Sequence, residues 1–109
     1  VFYQWVTGPA GTLQAKPSLP VMYEYASFFM NTLGGRSYLM RRDSKARLLT
    51  TYYSILTLDR ANDNGMNPNG LDIRPLIAST ANDIRSQKGL IYQKSYLAEL
   101  ARLADKYPM

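Results

Sequence analysis

The chain contains no cysteine and no histidine. Without cysteine it forms no disulfide, raises no thiolate nucleophile and offers no sulfur ligand to zinc or an iron–sulfur cluster. Without histidine it lacks the commonest general base near neutral pH and the commonest metal ligand. Together the two absences remove histidine-activated nucleophiles and most transition-metal sites. No stretch approaches the ~20 apolar residues of a membrane-spanning helix. Repeats, low-complexity tracts and coiled-coil heptads are missing as well, and no zinc-module or RNA-binding signature is present.

Other chemistries fail on spacing. Gly34 and Gly35 are followed by Arg36 and Ser37, without the spacing or the lysine of a phosphate-binding loop. A calcium loop needs glycine at its sixth position and a bidentate glutamate at its twelfth. Setting Gly65 sixth puts Arg60 first and Leu71 twelfth, and setting Gly70 sixth puts Gly65 first and Ile77 twelfth. Both registers fail, which leaves an irregular site on Asp59, Asp63 and asparagine carbonyls as the one metal possibility. Of the 8 carboxylates, no two are singled out for one cleft. The expectation is a non-enzyme with no cofactor, no catalytic residue and no metal.

What the sequence does contain is a globular balance. Its 109 residues are 46% hydrophobic and 19% charged, enough for one domain with one core. The net charge of +5 is unevenly placed. Residues 1–35 carry only Lys16 and Glu24. Residues 36–60 hold six basic and two acidic groups, a net +4, whereas residues 61–109 hold six against five. The basic character therefore belongs to the middle of the chain.

Residues 43–60 read as the helix around which the others pack. Asp43 suits its N-cap and its dipole. Leu48, Tyr52, Ile55 and Asp59 share one stripe, and Leu49, Tyr53 and Leu56 another. Three threonines and two tyrosines lower its intrinsic propensity, so tertiary burial must hold it.

Before it, residues 1–17 form an extended aromatic arm without helical periodicity, broken at 8–11 by glycine and proline. Ser18 and Pro20 mark the start of a helix over about 19–33, with Met22, Tyr25, Phe29 and Leu33 as its buried row and Val21 and Phe28 widening it. Gly34 and Gly35 are expected to stop it in the left-handed conformation. Residues 36–42 read as an irregular connection or a short helical turn.

After it, residues 61–70 carry Asn-Gly twice with Asn-Pro between, which is turn chemistry. Asp72 caps a third helix over about 72–88, with Ile73, Ile77, Ala81 and Ile84 inward and Lys88–Gly89 as its stop. A fourth helix over about 91–107 places Tyr96, Leu100, Leu103 and Tyr107 in one row and Leu97, Ala101 and Ala104 in the next, and Glu99 can pair with Arg102 on its surface. The short link favours an antiparallel hairpin of these two helices. The expected fold is all-α, a small four-helix bundle-like domain over 18–109 with the arm at 1–17.

Two surfaces are candidates for partners. One is the arm, through Phe2, Tyr3 and Trp5, which would pack on this domain, on another protein, or at a membrane interface. The other is the basic cluster of Arg36, Arg41, Arg42, Lys45 and Arg47, with Tyr38 among the arginines. Other protein subunits are the expected partners, with an anionic membrane surface next. Nucleic acid ranks behind, since the basic groups of 73–106 are diluted by acids. The chain begins with Val1 instead of methionine, which suits either a trimmed chain or a processed leader and a periplasmic, lumenal or membrane-associated setting. The sequence thus describes a helical subunit or adaptor of a larger complex, with a nucleic-acid-binding module as the alternative.

Overall fold

The computed structural model describes residues 18–108. The fold is all-α. Among the described residues five helices follow in order: α1 (Leu19–Asn31), α2 (Leu33–Met40), α3 (Ser44–Asp63), α4 (Arg74–Ser86) and α5 (Gln93–Lys106). No strand occurs among the described residues.

Helix α3 is the scaffold its sequence implies. The Asp43 carboxylate accepts a 2.9 Å hydrogen bond from the Ala46 N–H, satisfying one of the donors a helix start leaves open. From Leu48 to Ala61 its buried residues cover a wide arc: Tyr52, Ile55 and Leu58 lie inside with Ser54 and Thr57. Burying those hydroxyls costs little because each bonds its own helix: Ser54 Oγ donates to the Thr50 carbonyl at 2.7 Å and Thr57 Oγ1 to that of Tyr53 at 3.0 Å. Helix α1 packs along α3, α4 also meets it, and α4 and α5 form the expected hairpin. The buried faces of the hairpin are Ile77, Thr80 and Ile84 on α4 and Leu100 and Leu103 on α5, while Ala101 and Ala104 face solvent.

Two loops are tied by side chains. Tyr23, buried on α1, donates to Asn67 Oδ1 at 2.6 Å and accepts from the Asn69 N–H at 3.1 Å, anchoring the asparagine-rich loop. Past α4, Gly89 turns the chain at φ +81, and the Gln93 side-chain amide donates to the Ile84 carbonyl at 2.7 Å, closing the C-terminal turn of α4.

The N-terminal third departs from expectation. Helix α1 ends at Asn31, and the residues read as a connection form most of a fifth helix, α2. Gly34 and Gly35 lie inside α2 and end nothing; glycines at positive φ are Gly65, Gly70 and Gly89. The break falls at Thr32, which is extended at φ −110, ψ 151. Its hydroxyl donates to the Phe28 carbonyl at 2.7 Å and accepts from the Gly35 N–H at 2.9 Å, so one side chain ends α1 and caps α2. Gly35 is there for space. A Cβ on it would stand 1.8 Å from the Phe28 carbonyl oxygen and 2.9 Å from Phe29 Cα.

Smaller differences concern caps and ends. Ser18 makes no side-chain cap bond, and α3 runs two residues past 61 to Asp63. Helix α4 starts at Arg74, where Asp72 accepts from the Arg74 N–H at 3.1 Å, and it ends at Ser86, before Lys88. Helix α5 spans Gln93–Lys106, inside the expected 91–107.

Two outcomes follow. Gly35→Ala forces a Cβ into backbone and should cost about 1–3 kcal/mol despite the better helix propensity of alanine. Gly34→Ala, whose Cβ would meet only the Phe28 ring at 3.4 Å, should be neutral or stabilising by up to ~1 kcal/mol. Urea unfolding of the two variants checks the contrast. Tyr52 gives the second. Burial first, then the Glu99 carboxylate and Tyr96, push its phenol from 10.0 up to about 12. The folded state holds this proton more tightly than the unfolded chain. Its stabilising contribution is therefore complete below pH 10 and lost as pH climbs towards about 12. In thermal melts across that window Tyr52→Phe should flatten the decline.

Candidate partner-binding surface

The start of the site is α1, whose apolar residues exceed what its core contact needs. Its buried side is Met22, Tyr23, Ala26 and Ser27, of which Tyr23 and Ala26 join the core cluster with Tyr52, Ile55 and Leu58 of α3. This corrects the expected row. Tyr25 is 44% exposed and Leu33, now on α2, is 82% exposed, and Val21 and Phe28 are also on the surface. Residues 21, 25, 28 and 29 recur at helical spacing on a second side, so α1 carries two apolar stripes and the fold consumes one of them. Periodicity could not choose between them because large apolar residues stand on both sides, Met22 and Tyr23 on one and Tyr25, Phe28 and Phe29 on the other.

The second stripe meets α2 in an open groove of about 540 Å³, lined by Val21, Glu24, Tyr25, Phe28, Phe29 and Tyr38. Gly35 makes it possible: with no Cβ there, the α2 backbone approaches the Phe28 carbonyl and brings Tyr38 across from α1. The Phe28 and Phe29 rings meet edge-on at 5.6 Å, and Phe29 lies 5.6 Å from Tyr38.

The basic residues divide around this groove. Leu39 and Gly35 are the buried side of α2. Tyr38 flanks that side towards the groove and Arg36 flanks it on the other, about 200° round the helix. At the groove end, Arg42 lies with its guanidinium carbon 4.7 Å from the Tyr38 ring centroid, and its Nη2 hydrogen bonds the Tyr38 hydroxyl. Arg36 instead shares its side with the exposed Met40, whose sulfur is 3.9 Å from Arg47 Nη1. Lys45 leans away towards the α4–α5 turn, its ammonium 3.0 Å from where a Cβ on Gly89 would stand. The cluster is therefore one cationic surface with two sides: Tyr38 and Arg42 join the groove, Arg36 and Arg47 lie beyond it, and Arg41 and Lys45 are exposed between and beside them. Phe2, Tyr3 and Trp5 lie outside the described residues.

The charges of this surface are unspent. Every ion pair among the described residues lies elsewhere: on Asp72–Arg74, within α5 on Glu99–Arg102, or at the α3–α5 contact. There Asp59, 8% exposed, accepts from Lys106 Nζ at 2.8 Å and from the Tyr107 hydroxyl at 2.7 Å, with Arg102 at 3.7 Å. Lys106 also reaches Asp63 at 2.6 Å, so its ammonium occupies the space between the two carboxylates considered for a cation. Those carboxylates hold its pKa above the ordinary lysine value. Glu99 and Arg102 pair at 2.5 Å as their spacing implies. The Asp72 carboxyl is drawn down to about 2 by the hydrogen bonds from Arg74. By contrast, none of Arg36, Arg41, Arg42, Lys45 and Arg47 has a carboxylate within 4.0 Å among the described residues.

This division sets a stability contrast. Arg36→Glu and Arg41→Glu break no ion pair and should each change the unfolding free energy by less than about 0.5 kcal/mol. Tyr107→Phe strips a hydrogen bond from a largely buried carboxylate and should cost about 1–2 kcal/mol. Chemical denaturation measures both, and a large loss in either arginine variant would show that the cluster supports the fold. Comparison of the chain with protein-family models, curated proteins and solved structures gives no match, so the reading of its function rests on these side chains.

Proposed function

We propose that the chain is a non-enzymatic helical interaction module, a subunit or adaptor of a larger assembly, which meets its partners through the cationic surface at 36–47 and through the aromatic arm at 1–17. The observation that carries this reading is the unspent charge. Five basic side chains of 36–47 have no carboxylate within 4.0 Å among the described residues, and one of them lies beside a groove that exposes aromatic rings. Concentrating like charge there disfavours the isolated chain slightly and favours association with an acidic surface. An apolar patch rimmed by polar groups supports the same reading.

Other protein subunits are the preferred partners. No helix among the described residues is long and apolar enough to cross a membrane. An anionic bilayer would therefore be met from its surface, through the same arginines. Nucleic acid is the second reading, favoured by the exposed Tyr38 ring among the arginines, a place where a base could stack. Arg42 already covers that ring, which weakens it.

The test uses the full chain isolated from its native source. The double variant Arg36→Glu/Arg41→Glu, and separately removal of residues 1–12, should keep the helical circular dichroism and shift the chain on size exclusion from a large complex to its own size. Unchanged elution of both variants would overturn the reading. Anisotropy with a labelled single-stranded RNA or DNA decides the alternative: affinity falling steeply between about 50 and 200 mM salt supports it, and no binding at low salt removes it.

A further inference from the structure

The α1–α2 groove has a chemistry narrow enough to define its occupant. We propose that it receives an acidic, amphipathic segment of a partner protein, whose large apolar side chains lie on Val21, Phe28 and Tyr38 and whose carboxylates meet Arg42 and Arg41. This rests on the interaction-module reading and names the partner's chemistry.

Three features carry it. The first is shape. The groove runs between a helix of 13 residues and a shorter one, is about 540 Å³, and is walled by aromatic and aliphatic surface with one carboxylate, Glu24. Such a trough suits a helix that inserts residues at i, i+3, i+4 and i+7. The second is charge. Arg42 is held beside the groove by its contact with Tyr38 and has no carboxylate partner among the described residues; Arg41, exposed and next to it in the chain, has none either. A segment with acidic flanks gains from both surfaces, since pairing an arginine with a carboxylate adds register to the apolar contact.

The third is what the same features disfavour. A second copy joined by a twofold axis sets the same patch against itself, and here that would bring arginine against arginine. Residues 1–17 contain no acid, Lys16 being their sole charge, so they offer nothing to Arg42. Nucleic acid supplies the anion and no apolar anchors for Val21 and Phe28. An acidic amphipathic peptide matches both the apolar walls and the arginine beside them.

Anisotropy with labelled synthetic peptides of about four helical turns tests this on the full chain. The first peptide carries Leu and Phe at i, i+3, i+4 and i+7 with Glu elsewhere. The second replaces each Glu by Lys, and the third keeps Glu and replaces Leu and Phe by Ser. The first should bind and the other two should not. Phe28→Ala and Arg42→Glu should each weaken that binding about tenfold or more. Arg42→Glu should also gain affinity for the Lys peptide. Val21→Ser, at the exposed lip of the groove, should weaken the first peptide with unchanged circular dichroism, which guards against misfolding of the Phe28 variant. Failure of the first peptide to bind, equal binding of the Lys or Ser peptide, or binding indifferent to all three substitutions overturns the proposal. A dimer in sedimentation that Phe28→Ala dissociates would assign the groove to a second copy and overturn it too. If Arg36→Glu/Arg41→Glu releases the chain from its native complex while Phe28→Ala and Arg42→Glu do not, the interaction reading stands and this occupant is rejected.

Discussion

The contact between the α2 backbone at Gly35 and the Phe28 carbonyl is the constraint on which the surface of this protein depends. It lets α2 lie against the end of α1 without the spacing that side chains impose, and Thr32 fixes the angle by ending one helix and capping the next. Once α2 is placed, Leu39 turns inward, Tyr38 faces the second apolar stripe of α1, and Arg42 lies against Tyr38. A methyl group at residue 35 would undo this arrangement locally while leaving α3, α4 and α5 with their own contacts.

Electrostatically the molecule has two ends with opposite economies. At the α3–α5 contact, Asp59 gathers Lys106, Tyr107 and Arg102, and Lys106 holds Asp63 as well. These charges are neutralised within the fold and join residues more than forty positions apart. The positive groups of 36–47 make no ion pair among the described residues. The proposed function therefore draws on them, whereas the Asp59 network belongs to stability.

The sequence was most legible where one residue type had one role. Asp43 capped α3, the stripe of Leu48, Tyr52, Ile55 and Asp59 was buried, the asparagine-rich stretch turned the chain, and α4 and α5 paired. Helix α1 was misread because its residues are apolar on two sides, and a period of 3.6 says which residues share a side without saying which side faces the core. Helix α2 was missed because a Gly-Gly pair reads as a stop; its steric purpose emerges only once Phe28 has coordinates. The basic cluster was visible as composition, and Tyr38 touches Arg42 of that cluster, but the separation of Arg36 from Arg42 required the coordinates of α2. Val21 and Phe28 were taken for core; the one available signal was their phase, offset from Met22 and Ala26. The partnership of Asp59 with Lys106 and Tyr107 could not be read at all, since no local spacing links positions so far apart.

The central claim is that the α1–α2 face, and no other helical face, is where this chain is held by its partners. Site-specific photo-crosslinking in the native complex tests it most directly, with a benzophenone side chain placed at Tyr38 and, as the comparison, at Asn82 on the exposed side of α4. The account predicts a discrete crosslinked partner from residue 38 and none from residue 82. Crosslinking from residue 82 with silence at residue 38 would contradict it.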